Sequence, residues 1–317
     1  MTQLLLVFVS PSFRRSVHRL LLDIEVKLFV GTTAVRVRKI LYLIAVIAGL
    51  ASISLVVINI AGMNLTAPPK YVMIHFDDGF KSQYDHAYPI LKQYGLKATF
   101  WIVCDNASGE NPLYMRWPEV EKLVADGQDI QNHGMTHAHL PTLSDKQIEA
   151  EVGGCKEMVV RHGSSGDAYA IPFNEGNDEL RIVTAISKIH SFGKGDGGNP
   201  QPLDCGGNCE ILNDDGTYNK HNRYTMVQWS HDSYSSGRSE PEVLDGFIQA
   251  VNRGVADSSG GILNIPIITY HRINEGGVSP STSLFESEMK YLHDNGFRAI
   301  GMDDIAYDSV AKKFKLK

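Results

Sequence analysis

The sequence predicts an α/β protein, a distorted (β/α) barrel of about seven units preceded by one transmembrane helix. Three observations lead there. From residue 71 onward, strand-like apolar runs alternate with helix-like stretches, the pattern of a parallel sheet covered by helices. About 250 residues suits one barrel-like α/β domain. Ile40 to Gly62 is a run of 23 residues without a single charge.

The elements follow in order. Tyr71–Phe76 is a short apolar strand, followed by a helix over Gln83–Tyr94 with apolar residues on one face. Ala98–Val103 is rich in aromatic and branched residues, as a buried strand requires. Trp117–Ala125 reads as a helix closed by Asp126-Gly127, and Asp129–Asn132 as a third strand. Ser144 followed by Gln147 resembles a capping box opening a helix that runs to about Val160. Ile262–Tyr270 is a late strand, Ser283–Asn295 a last helix and Phe297–Ile300 a last strand. Residues 191–223 break the rhythm with Gly, Asn, Asp and Pro and read as a long insertion. Within it Cys205 and Cys209 can close a local disulfide, whereas Cys104 and Cys155 sit in apolar contexts and read as buried thiols.

Composition narrows the class. With 317 residues, 43% hydrophobic and only 4 Cys, the chain is neither collagen-like, low-complexity nor a disulfide-stapled miniature. Residues 1–39 are basic, which leaves the remainder more acidic than the net charge of −6 implies and argues against nucleic acid as a partner. The uncharged run would cover roughly 35 Å as a helix, enough to span a bilayer. Arg36, Arg38 and Lys39 would then stay cytoplasmic, leaving the following domain outside, in agreement with the sequons at Asn64 and Asn106. The expected organisation is a basic tail (1–39), a membrane span (40–62), a linker with Pro68-Pro69 (63–70) and a catalytic domain (71–317). The tail itself reads equally as an amphipathic segment on the inner leaflet, an ordinary cytoplasmic tail or a misassigned start.

Reactive groups in such a sheet gather at the C-terminal ends of the strands. The first strand exits into His75-Phe76-Asp77-Asp78-Gly79, which by itself is also an ordinary turn. The third exits into Asn132-His133-Gly134-Met135-Thr136-His137-Ala138-His139, where two imidazoles suit a metal. The late strand exits into Thr269-Tyr270-His271-Arg272. Two imidazoles and one carboxylate form a facial triad with positions left for water and substrate. A second carboxylate can take a proton from that water, and a His across the site can donate one to a leaving group, as metal-assisted amide or ester hydrolysis needs.

HFDDGF (75–80), KATFWIV (97–103), NHGMTH (132–137), IPF (171–173) and ITYH (268–271) together resemble the polysaccharide deacetylase family, the NodB-homology domain or carbohydrate esterase family 4. The resemblance runs in the family's motif order from about Tyr71 to Asp304 and implies a distorted barrel of seven or so β/α units. It also implies roles: Asp77 as general base, Asp78, His133 and His137 as metal ligands, and His271 as general acid. Thr136 matches the family's hydrogen-bonding position before the second His. Phe173, presented by Pro172, would offer its backbone N–H to the oxyanion, with Trp229 and Tyr270 as further oxyanion or substrate residues. The implied cofactor is a divalent metal, usually Zn2+, with Co2+, Ni2+ or Fe2+ as alternatives.

Two motifs depart from the pattern. Ala170 stands where the family places an Arg that holds the base, and the fourth motif is unclear, its nearest material being Arg223, Trp229 and Asp232. Arg223 is expected to supply the missing cation, and Asp232 or His231 to assist His271. The function expected is removal of N-acetyl groups from amino sugars of an envelope or extracellular polysaccharide by a membrane-anchored enzyme, its partners being the glycan and, through one helix, the lipid bilayer. A glycan-binding module with decayed catalysis, or an amidase or deformylase on another amide, stands beside it.

Overall fold

The computed structural model describes residues 69–197, 205–256, 265–310 and 312–317. In chain order the elements are β1 (Lys70–Phe76), a π-helical turn (Gln83–Ala87), α1 (Tyr88–Tyr94), β2 (Thr99–Ile102), α2 (Cys104–Ser108), α3 (Trp117–Ala125) and β3 (Asp129–Asn132). There follow α4 (Asp145–Arg161), β4 (Ala168–Ala170), α5 (Leu180–Ser187), β5 (Phe192–Gly197), β6 (Met226–Ser230), α6 (His231–Ser235) and α7 (Glu240–Ala256). The last are β7 (Ile267–Tyr270), α8 (Thr282–Asp294), β8 (Phe297–Ala299), β9 (Ile305–Asp308) and β10 (Lys313–Leu316).

The strands run in the order β2-β3-β4-β5-β6-β7-β1-β8, and β1 also pairs with β2. That extra pairing closes a parallel seven-stranded barrel. It is distorted because β1 divides its edge: Lys70–Val72 pair with β8, and His75 and Phe76 pair with Thr99 and Phe100 of β2. Side chains alternate across each strand. Met73, Trp101, Ala168, Ala170, Phe192, Met226 and Ile267 fill the interior. Val72, Ile74, Phe76, Phe100, Ile102, Ile130, Ile268 and Tyr270 face outward and pack against Leu91, Phe247, Phe285 and Leu292 of the helices. Burial on both faces explains the continuous apolar run of β1.

The capping box at α4 forms, with Ser144 N–H donating to Gln147 Oε1 at 3.0 Å. Several expectations are corrected. The first concerns the membrane. No helix among the described residues is long and apolar enough to cross one, and the 40–62 run lies outside them. The longest described helices, α4 and α7, have 17 residues each and carry charge, short of the roughly 20 apolar residues a span needs. Hydropathy and length are only necessary conditions for a span. The transmembrane helix before the barrel, the lipid bilayer as partner and the single-pass topology with an extracellular domain are therefore withdrawn.

Residues 191–223 are not wholly an insertion, because β5 runs through 192–197 in the middle of the barrel. Its sequence FGKGDG hides the strand for a packing reason. A Cβ at Gly193 would lie 2.2 Å from the Tyr224 carbonyl oxygen, and one at Gly195 2.6 Å from Ile171 Cδ1. The glycines are there for close approach rather than for a turn. Cys205 and Cys209 form the local disulfide. Cys104 and Cys155, read as thiols, are also joined; both are fully buried, and the bond ties α2 to α4 across 51 residues.

Candidate metal centre and active site

The site lies at the C-terminal ends of β1, β3, β4 and β7. Asp78 sits on the turn after β1, His133 directly follows β3, and His137 lies four residues further along the same loop. Their ligating atoms all fall within 4.8 Å of one another. Asp78 Oδ1 is 3.3 Å from His133 Nε2 and 3.1 Å from His137 Nε2, yet this buried oxygen has no hydrogen-bond donor. His133 explains why. Its Nδ1 lies 2.9 Å from the Ala170 carbonyl, which can only accept, so the proton is on Nδ1 and Nε2 presents a lone pair. A carboxylate oxygen and imidazole nitrogens aimed at one point without a proton between them fit a divalent cation with nitrogen and oxygen ligands.

Backbone strain marks the same residues. Asp78, His137 and Phe173 all adopt left-handed φ, of 72°, 61° and 58°, which non-glycine residues seldom tolerate unless the surroundings impose it. For His137 the imposing group is Glu151 of α4. Its Oε1 accepts from Thr136 N–H at 2.7 Å and Thr136 Oγ1 at 3.2 Å, while its backbone carbonyl accepts from Met135 N–H at 3.2 Å. Glu151 thereby fixes the loop carrying His137, a role sequence reasoning missed because the residue is distant in the chain.

Asp77 is 5% exposed and lies beside the metal donors without joining them. Its partner is Lys194, whose Nζ is 2.6 Å from Oδ1 and 2.8 Å from Oδ2. This corrects the assignment of the missing cation to Arg223. That guanidinium pairs with Glu210 at 2.7 Å and lies over the rings of Tyr224 and Tyr307, just before β6 and so at the opposite rim of the barrel. Strand register gives the reason Lys194 can take the place. Lys194 on β5 is the direct partner of Ala170 on β4, so the cation comes from one strand over. The fully buried ammonium has its pKa lowered by burial, against the pull of Asp77. Below it lie Trp101, whose ring centroid is 5.1 Å from Nζ, and His75, which burial and the Lys194 charge hold neutral.

His271 faces Asp77 from β7. Its Nδ1 is 2.7 Å from Asp232 Oδ2, and its Nε2 is 4.0 Å from Asp77 Oδ2. Burial opposes the charged form, but the Asp232 hydrogen bond and the charges of Asp77, Asp232 and Asp78 push its pKa up to about 9. Gln83, buried in the π-helical turn, donates to the carbonyls of both Asp77 (2.5 Å) and His271 (2.6 Å) and pins these two strand exits together. Its placement depends on a helical irregularity that sequence pattern does not signal.

Phe173 is half-exposed beside the triad, its ring 4.4 Å from His137 edge-to-face and 4.0 Å from His139 in a parallel stack. Trp229 and Tyr270 do not join the site. Strand alternation turns both outward, Trp229 onto the helix layer and Tyr270 to donate its hydroxyl to Glu288 Oε2 at 2.9 Å.

The polysaccharide deacetylase family model matches residues 64–188, the stretch that carries Asp77, Asp78, His133, His137 and Phe173. YxkH of Bacillus subtilis (strain 168), a polysaccharide deacetylase by name, is 32% identical over 89 residues. That alignment covers 28% of this chain and 31% of YxkH, so the chain spans about a third of the length of this relative. Among solved structures, the Bc1960 peptidoglycan N-acetylglucosamine deacetylase superimposes with a TM-score of 0.50 at 18% identity, covering 74% of this chain and 86% of that one. The Xyl-CE4 domain of a xylanase from the hindgut metagenome of Trinervitermes trinervoides gives 0.48 at 17% identity, covering 74% and 89%. At such identity the first of these likenesses speaks to the fold alone. By fold, matched segment and metal-donor set, the chain is similar to polysaccharide deacetylases of the carbohydrate esterase family 4 type. None of these likenesses bears on a membrane-anchored form.

Proposed function

We propose that this chain is a metal-dependent deacetylase of the carbohydrate esterase family 4 type, a hydrolase of carbon–nitrogen amide bonds that removes N-acetyl groups from an amino-sugar polysaccharide. One observation carries the reading: the metal-donor triad Asp78, His133 and His137 is flanked by a carboxylate, Asp77, and an imidazolium, His271, facing one another at 4.0 Å. Asp78, His133 and His137 would hold the cation. Bound there, it supplies a Lewis acid that polarises the amide carbonyl and acidifies water.

The remaining steps belong to the chain's own residues. Asp77, held in one orientation by Lys194, takes the proton from the attacking water. The backbone N–H of Phe173 donates to the oxyanion that develops on the carbonyl carbon's oxygen. His271, charged at neutral pH and oriented by Asp232, donates its Nε2 proton to the amine nitrogen as the C–N bond breaks. An amide anion is far too basic to leave without that proton. The products are acetate and a free amine on the sugar.

Ala170 is the feature that speaks for a binding module with decayed catalysis, and the Lys194–Asp77 pair supplies the cation that Ala170 lacks. The test is acetate release from chitooligosaccharides and other N-acetylated glycans by zinc- or cobalt-loaded protein, with Asp77→Asn as the inactive control. Turnover of formyl or non-sugar amides in place of these substrates would move the assignment to an amidase or deformylase. No turnover of any amide by metal-loaded protein would refute the enzymatic reading.

A further inference from the structure

Beyond Asp232, the buried groups behind His271 continue. His231 opens α6 and is fully buried, as is Glu288 of α8. His231 Nε2 lies 3.0 Å from Glu288 Oε1, so this nitrogen must carry a proton. On the other side, His231 Nδ1 lies 3.1 Å from Ser235 Oγ. That hydroxyl has one proton, which it donates to the His231 carbonyl at 2.8 Å, so Nδ1 must be the donor to it. With Glu288 ionised and the Ser235 hydroxyl donating to the carbonyl, both ring nitrogens carry protons and His231 is an imidazolium inside the protein. The charge faces Glu288 from α8, the Tyr270 ring from β7 at a centroid distance of 4.7 Å, and Asp232 from its own helix, with Nδ1 3.9 Å from Asp232 Oδ1. Asp232 Oδ1 is buried and has no hydrogen-bond donor, so the neighbouring positive charge is its main compensation. Burial would lower the His231 pKa, but the charge of Glu288 together with Asp232 pushes it up to about 9, in line with the donor count.

We propose that His231 and Glu288 form a charged pair that positions Asp232 and sets how firmly it holds the proton of His271. Both are positioning residues, since neither touches the reacting atoms, and the proposal rests on the acid role of His271 given above. A fixed positive charge beside Asp232 offsets part of the negative field at His271, which also faces Asp77 and Asp78. The His271 proton is thereby held tightly enough to be present at neutral pH and loosely enough to be given away. A bare buried ion pair would be indifferent to the reaction, and replacing it by neutral groups can even stabilise a fold. What distinguishes a positioning pair is its effect on His271.

The test uses the full chain labelled with nitrogen-15 in histidine and prepared without metal, together with metal-loaded kinetics. His231 should show two protonated ring nitrogens at pH 7.5. In His231→Gln, which keeps a donor to Glu288 but no charge, the titration midpoint of His271 should rise by about half a pH unit or more. The kcat for acetate release should fall about threefold, while KM and zinc affinity stay unchanged. Glu288→Gln should reproduce the loss in kcat, and Glu288→Asp should recover part of it. A neutral His231 ring at pH 7.5 overturns the proposal whatever the activity. So does a charged ring whose removal leaves the His271 titration and kcat unmoved, because the pair is then structural only. If wild-type protein released no acetate, the functional reading would fail, and the titration of His271 would still decide whether the pair is coupled to it.

Discussion

Lys194 is 1% exposed at its side chain and holds both oxygens of a carboxylate that is itself almost fully buried. Replacing it with Met keeps the volume of the aliphatic stem and removes only the charge and the donors. Removing one partner of such a pair typically costs about 3–5 kcal/mol, because the other charge remains buried without compensation. For a domain of this size, each kcal/mol lowers the melting temperature by roughly 2–4 °C, so Lys194→Met should melt on the order of 10 °C lower. An uncompensated buried carboxylate escapes by protonation or by local opening, and either removes a carboxylate base. Acetate release should therefore fall by a hundredfold or more, even at temperatures where the variant is fully folded. Arg223→Ala is the comparator, since its guanidinium pairs with Glu210 at the far rim; it should retain the wild-type rate. Calorimetry and acetate release on the two variants decide the matter. A Lys194→Met protein with near-normal melting and activity, or an Arg223→Ala protein without activity, would refute the reasoning.

Other expectations follow from the same geometry. Glu151→Gln should leave the fold intact but weaken zinc binding about 10–100-fold in a chelator competition, since outer-shell partners orient the ligands. Removing the Cys104–Cys155 bond by a double Ala substitution should cost up to about 4 kcal/mol, as expected for a closed loop of some fifty residues, and urea titration would show it. His231 has its folded pKa raised to about 9 from an ordinary 6.5. Its contribution to stability is thus fully present below about pH 6.5 and is lost as pH rises through about 9. Unfolding free energy should accordingly decline across that window by at most about 3 kcal/mol from this group, and the decline should shrink in His231→Gln. Trp229→Leu, a change against the helix layer, should alter stability more than KM.

Much of the barrel was legible because its strands and helices announce themselves locally. Trp117–Ala125, Asp129–Asn132 and the capping box at Ser144 appear where periodicity and cap chemistry put them. β5 was illegible for the opposite reason. Its glycines answer to Tyr224 and Ile171, residues of other segments, and composition cannot distinguish a glycine required by a neighbour from one required by a turn. The same limit applies to the cation beside Asp77: nearness in sequence points to Arg223, whereas nearness across the β4–β5 register belongs to Lys194. It also left Trp229 and Tyr270 in the site, although strand parity turns them away from it.

Residue order settled which groups could do chemistry: adjacent carboxylates after one strand, spaced imidazoles after another and a His after a third are local facts of the chain. Tertiary structure decided which of them meet and what charge each carries. Asp77 meets Lys194 across 117 positions, His231 meets Glu288 across 57, and Cys104 meets Cys155 across 51. Contacts of that range arise from strand pairing and helix packing, and burial then sets their protonation, so no window along the sequence contains them.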